Sequence, residues 1–204
     1  MCCDSAEKIK ASVIDWLLAS HDDIIIGNEV MYGSKRKVVD LLAIVNNKTL
    51  AIEIKSASDN LSRISEQIQE YSKIFDRVII ISSLSHKEGI LSVIDKGIGL
   101  YTIDKKITKV RRPLLCQNQD KLEMLYSISS GHLKKKYPEY KTMNSDEIRI
   151  KLSRERKAVV HQLLLSFYQQ RLTERFQLFM SERGDFTLID DIPTLSSLTR
   201  IDQF

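Results

Sequence analysis

Lys37-Val38-Val39-Asp40-Leu41-Leu42-Ala43-Ile44-Val45-Asn46-Asn47-Lys48-Thr49-Leu50-Ala51-Ile52-Glu53-Ile54-Lys55 is the stretch that decides the fold. Lys37 to Val45 and Thr49 to Lys55 are apolar on both faces, the pattern of strands covered on two sides. Asn46-Asn47 supplies the hairpin turn, because Asn tolerates the positive φ that such turns demand. With these two residues as the loop, Val45 faces Lys48 and Asp40 faces Glu53. Opposed residues of an antiparallel pair share a face with Cβ atoms ~4.5–5.5 Å apart, so two carboxylates converge and repel on an otherwise apolar sheet. Alternation puts Lys55 on the same face as Glu53. A hard divalent cation relieves the repulsion: Mg²⁺ takes one or two carboxylates, with waters and phosphate oxygens completing its shell. Lys55 then orients or deprotonates the attacking water, or stabilises charge developing on phosphate. The alternative is a surface hairpin whose Asp40, Glu53 and Lys55 form a solvated salt bridge of little worth. Two strands apolar on both faces, interrupted only by these residues in a register that unites them, favour the site.

Upstream, Ser5 to Ala19 carries Ile9, Val13, Ile14, Trp16, Leu17 and Leu18 on one stripe and reads as a helix, and Ile24 to Tyr32 reads as a strand. Downstream, Ser58 or Asp59 is placed to cap a helix bearing Leu61, Ile64, Ile68, Tyr71 and Ile74 and ending near Phe75. Val78 to Ile81 follows as a buried strand, Lys87 to Asp95 as a short helix, and Gly99 to Ile103 as another strand. Ile107 to Val110 pairs back through Asp104-Lys105. The order predicts an α/β fold, a mixed sheet between helical layers. Arg111-Arg112-Pro113 ends the sheet-forming half, which predicts one domain over 1–112 and an all-helical extension over 113–204. In the extension, Asn144 to Glu147 matches a capping box, and a longer helix runs through Val159, Val160, Leu163, Leu164, Phe167 and Leu172.

The composition agrees with a folded chain. Among 204 residues, 43% are hydrophobic and 28% charged, with seven Gly and three Pro, which excludes a disordered or collagenous class. No apolar run approaches the ~18 residues of a membrane span, and Met1-Cys2-Cys3-Asp4 lacks a basic region followed by an apolar stretch. The three cysteines, two of them adjacent, are expected to be thiols in a reducing cytoplasm. No His or Cys spacing points to zinc.

The net charge of +4 is mild, but its distribution is uneven. Nine cations stand against four carboxylates from His132 to His161, and two against five from Ser181 to Phe204. Lys134-Lys135-Lys136 and Arg154, Arg156 and Lys157 are candidates for phosphate contacts, which bind without reading sequence; a solvated face is the alternative. His132 and His161 are read as surface or satisfied histidines, and Phe167, Tyr168, Phe176 and Phe179, at helical spacing, as packing residues.

Asp40 followed by Glu53-Ile54-Lys55, in a helix-strand-strand-strand-helix-strand order, resembles the PD-(D/E)XK, or restriction-endonuclease-like, nuclease superfamily. Glu53-Ile54-Lys55-Ser56, Asp59-Asn60-Leu61-Ser62-Arg63 and Gln67-Ile68-Gln69-Glu70-Tyr71 further resemble a small bacterial and phage branch of it. The superfamily resemblance covers roughly residues 5 to 110. It implies a three-layer α/β/α core and Mg²⁺-dependent hydrolysis of DNA phosphodiesters, with Mn²⁺ as a substitute ion and RNA as the alternative nucleic acid. It implies Asp40 and Glu53 as metal ligands, Lys55 at the nucleophile, and Arg63 and Gln67 on a helix face bordering the site. Val39 stands where the superfamily name has Pro. Glu29 is the candidate for a further upstream acid that many such nucleases carry, with Glu7 or Asp15 as alternatives. Tyr71 falls on the apolar stripe and is read as a packing residue. Two rival expectations remain: a nuclease fold that binds nucleic acid or a partner without cleaving, and a helical half serving protein partners or self-association.

Overall fold

The computed structural model describes residues 5–196; Cys2, Cys3 and the tail from 197 onward, including Arg200 and Asp202, lie outside the described residues. Its centre is a six-stranded sheet in sequential order: β1 (Ile24–Tyr32), β2 (Lys37–Val45), β3 (Lys48–Lys55), β4 (Arg77–Ser83), β5 (Gly99–Ile103) and β6 (Ile107–Arg111). β1, β2 and β3 form an antiparallel meander; β3, β4 and β5 run parallel; β6 returns antiparallel. The parallel pairs need crossovers, which α2 (Ile64–Ser72) and α3 (Lys87–Leu91) provide. Asn46 and Asn47 take φ of 50° and 57°, and Val45 pairs with Lys48, as the two-residue turn requires.

Helices cover both faces. On one, α1 (Ala6–Ser20) lays Ile9, Val13, Ile14 and Leu17 on Ile26, Leu41, Ile52, Ile79 and Ile81. On the other, α2 packs with α4 (Lys121–Tyr126), α5 (Ser130–Lys136), α6 (Ser145–Leu152) and the 26-residue α7 (Lys157–Glu182). The helices beyond Pro113 thus share one hydrophobic cluster with the sheet, although the composition changes there. Gly27 permits the closest approach: a Cβ there would stand 2.6 Å from Leu172 Cδ2 of α7. A second tie is polar. Buried Asp76 accepts from the Thr49 backbone N–H and hydroxyl and from His161 Nε2 at 2.8 Å, pinning α7 to the start of β3. His161 is therefore a satisfied histidine, with a partner 85 positions away in sequence.

The capping box of Asn144 and Glu147 forms as expected. Phe167, Tyr168 and Phe179 are buried. Cys116 is a free, half-buried thiol. No helix among the described residues is long and apolar enough to cross a membrane. The cap of α2 departs from expectation. Its N-cap is Arg63, and Asp59 instead folds back to accept the Ser56 N–H at 2.6 Å and the Ser56 hydroxyl at 2.7 Å, closing the turn after β3. Leu61 consequently precedes the helix. The short acidic side chain bonds a local backbone N–H more readily than it waits for one four residues on. The helix expected over Lys87 to Asp95 stops at Leu91, and Ser92 caps its end through backbone bonds.

Candidate functional site

The ladder between β2 and β3 runs from Val45↔Lys48 only as far as Leu41↔Ile52. Beyond it, β2 stays paired with β1 while Glu53 to Lys55 pair with β4, so the two strands splay at Asp40 and Glu53. The Asp40 carboxylate fills the opening: its Oδ2 accepts the Ile54 backbone N–H at 2.8 Å, a donor that would otherwise lack a sheet partner. This corrects the expected same-face pairing of Asp40 with Glu53 across a continuous ladder. Alternation also breaks there. Val39 joins the cluster under α2 and α7, whereas Leu41, two residues on, joins the cluster under α1. Two strands that each need both faces buried cannot carry a carboxylate pair inside a regular ladder without desolvating both charges, and the splay brings Asp40 to a half-buried position instead.

Glu53 is 2% exposed, yet three side chains satisfy it. Lys55 Nζ donates to its Oε1 at 2.7 Å, Gln67 Nε2 donates to the same oxygen at 2.6 Å, and the Tyr71 hydroxyl donates to Oε2. Lys55 also reaches Gln67 Oε1 at 3.1 Å. The i, i+4 spacing of Gln67 and Tyr71 places both over the end of β3. Tyr71 therefore does more than pack. It is wholly buried, its ring lies 5.2 Å from that of Tyr32, and its hydroxyl holds the central carboxylate.

Burial and the charge of Glu53 push the Asp40 carboxyl up to about 6, against the opposing pull of the Ile54 N–H, Lys10 and Lys55. Burial and the same Glu53 charge push the Tyr71 hydroxyl far above the ordinary phenol range, so it remains a proton donor. Lys10, buried on α1 and 3.6 Å from Glu7, is a member of this electrostatic group that the sequence reading did not single out. Its signal, a Glu7–Lys10 spacing on one helix, is too common to be read alone.

The other candidates are distributed more widely. Glu29 sits in β1 between the pairs Asn28↔Leu41 and Val30↔Val39, level with Asp40, at φ 51°, and its Oε2 lies 3.5 Å from the Ser196 hydroxyl. Asp15 is occupied by Arg183 and Thr187. Arg63 is exposed at the head of α2. Lys134, Lys135 and Lys136 form the last turn of α5; Arg154 and Arg156 lie exposed between α6 and α7, and Lys157 begins α7, its Nζ 3.4 Å from the Gln117 carbonyl. None of these bonds to Asp40, Glu53 or Lys55 among the described residues.

No group of three His, Cys, Asp or Glu side chains gathers as a metal cluster among the described residues. The donor set is two carboxylates at the splay. It suits Mg²⁺, which is commonly held by one or two carboxylates with water and phosphate oxygens.

Comparison with known proteins gives three findings. A family model described as Bacteriophage P4 protein cII matches residues 4–196. Protein cII of Enterobacteria phage P4 is 24% identical over 149 residues, covering 70% of this chain and 56% of that protein, so the chain spans little more than half the length of this relative. Among solved structures, the SPO1766 protein of unknown function from Silicibacter pomeroyi aligns with a TM-score of 0.52 at 13% identity, covering 91% of this chain and 99% of that one. At that identity the likeness is one of fold.

Proposed function

The chain belongs to the bacteriophage P4 protein cII family, and we propose that it is a divalent-metal-dependent nuclease that hydrolyses DNA phosphodiester bonds. The observation that carries this reading is the buried Glu53, held by Lys55, Gln67 and Tyr71 at the point where β2 and β3 part and Asp40 enters the gap. A purely structural role would not favour a half-buried carboxylate beside a buried one, because each raises the cost of charging the other.

In this reading Asp40 and Glu53 hold Mg²⁺ or Mn²⁺, which when bound supplies charge neutralisation and an acidified water. Gln67 and Tyr71 fix the Glu53 carboxylate in one orientation, so little reorganisation accompanies reaction. Lys55 sits beside Glu53 with its ammonium 2.7 Å from Oε1, where it orients the attacking water and stabilises charge on the phosphate. Lys134, Lys135, Lys136, Arg154, Arg156 and Lys157 supply nonspecific phosphate contacts from the helical layer.

A second reading, a nuclease fold that binds nucleic acid without cutting it, is favoured by one observation: Glu53 is 2% exposed and three side chains already donate to it, which leaves a cation one remaining acceptor position, on Oε2. Incubation with labelled duplex, single-stranded and branched DNA and with RNA, each with Mg²⁺, Mn²⁺ or EDTA, separates the two. The nuclease reading expects metal-dependent cleavage of at least one DNA. Binding without cleavage in every arm contradicts it.

A further inference from the structure

A cleft of about 610 Å³ lies under the C-terminal end of α1 at the beginnings of β3 and β4. Glu53 is five residues further along β3 than Lys48, so the cleft stands roughly 17 Å along that strand from the carboxylates, at about 3.3 Å per residue. Its walls combine two kinds of group. Trp16 and Tyr101 form a tilted aromatic pair with centroids 5.0 Å apart, and both rings are half-exposed. Around them stand Lys48, Arg77, Lys109 and Arg112, and no Asp or Glu lines the cleft.

The charge is left largely uncompensated. Among the described residues only Lys48 comes within reach of a carboxylate, Asp76 at 3.8 Å, and that carboxylate is already engaged by Thr49 and His161. Arg77, Lys109 and Arg112 are exposed. The sheet fixes their placement: Arg77 opposes Leu50 across β3–β4, and Lys109 opposes Tyr101 across β5–β6, bringing a cation alongside the aromatic pair. Four cations on a convex surface would be ordinary solvated charge. Gathered in a concave site without carboxylates and beside two rings, they match the requirements of one ligand chemistry, a flat base that stacks and a phosphate that takes charge-assisted hydrogen bonds.

We propose that this cleft binds a nucleotide unit of a single-stranded nucleic acid, the base against Trp16 and Tyr101 and the backbone phosphates on Arg77, Lys109 and Arg112. The site is separate from the carboxylates and its occupancy does not require hydrolysis. Trp16 is the only tryptophan of the chain, so its fluorescence reports directly on this cleft.

The test is titration of Trp16 fluorescence in EDTA, which keeps any metal-dependent cleavage off, with a single-stranded oligothymidylate, with AMP, and with polyglutamate as an acidic polymer lacking bases. Oligothymidylate should quench the signal, with an affinity that falls as salt rises. Arg77→Gln combined with Arg112→Gln should weaken binding about tenfold or more and flatten the salt dependence. Tyr101→Leu should weaken it roughly five- to a hundredfold, the scale of losing a stacking ring. Circular dichroism and melting confirm that each variant is folded. AMP binding as tightly as the oligonucleotide supports the cleft's chemistry and makes a free nucleotide the source of the unit. Absence of quenching, equal quenching by polyglutamate, or undiminished affinity in the arginine double variant overturns the proposal, whatever the outcome of the cleavage assays.

Discussion

Asp40 takes the place of a ladder partner for Ile54: its Oδ2 accepts the Ile54 N–H at 2.8 Å just where β2 stops pairing with β3. One side chain thereby closes a backbone bond and opens the sheet. Without a cation the arrangement is electrostatically costly, because burial and Glu53 hold the Asp40 carboxyl up to about 6.

That cost has a pH signature. A carboxyl whose folded pKa is raised contributes fully below its unfolded value near 3.8 and loses that contribution as pH rises through about 6. Asp40→Asn keeps an acceptor for Ile54 but removes the charge. In EDTA it should therefore gain stability relative to the wild type at pH 8, on the order of 2 kcal/mol, and the gain should fade toward pH 4. Denaturant unfolding of both proteins at the two pH values measures this.

Metal should reverse the ranking. Mg²⁺ or Mn²⁺ bound by the native carboxylates alone raises the melting temperature by mass action. Asp40→Asn should abolish that rise. An equal rise in the variant would remove Asp40 from the metal site.

Tyr71→Phe deletes only the hydroxyl that donates to Glu53 Oε2. A buried charged acceptor losing its donor should cost about 1–3 kcal/mol with the ring packing intact. Thermal melting checks the size. The effect should shrink in a Glu53→Gln background, where no charge needs the bond, and simple additivity of the two changes would assign Tyr71 to packing alone.

The Asp76–His161 tie predicts acid sensitivity. Burial raises the Asp76 pKa, but hydrogen bonds from His161 and Thr49 outweigh it and hold the carboxyl below its ordinary 3.8. Its contribution is thus present above pH 4 and lost as pH falls through the folded value. His161→Gln should destabilise at pH 7 by about 1–3 kcal/mol, and the difference should narrow toward pH 3. Urea unfolding at both pH values provides the comparison.

Residues 37–55 carried most of the readable information. The strand pattern, the Asn46-Asn47 turn and the register that sets Val45 opposite Lys48 are accessible because they rest on local periodicity and turn chemistry. The break at Asp40 is not, since no local rule announces that a side chain will replace a ladder carbonyl. Tyr71 lies on the apolar stripe of α2, and its bond to Glu53 depends on how α2 crosses the sheet. Asp76 and His161, and equally Gly27 and Leu172, meet only in three dimensions. The Trp16–Tyr101 cleft is likewise assembled from separate elements whose residues look unremarkable in sequence.

The central claim is that Glu53 and Lys55 belong to a hydrolytic site, and Lys55→Met tests it most directly, by single-turnover cleavage and metal titration on one folded preparation. The carboxylates should still bind Mg²⁺ and the protein should still bind DNA, while the cleavage rate falls roughly 10²-fold or more, the scale of losing a positioned catalytic group. Cleavage by Lys55→Met at the wild-type rate would contradict the account.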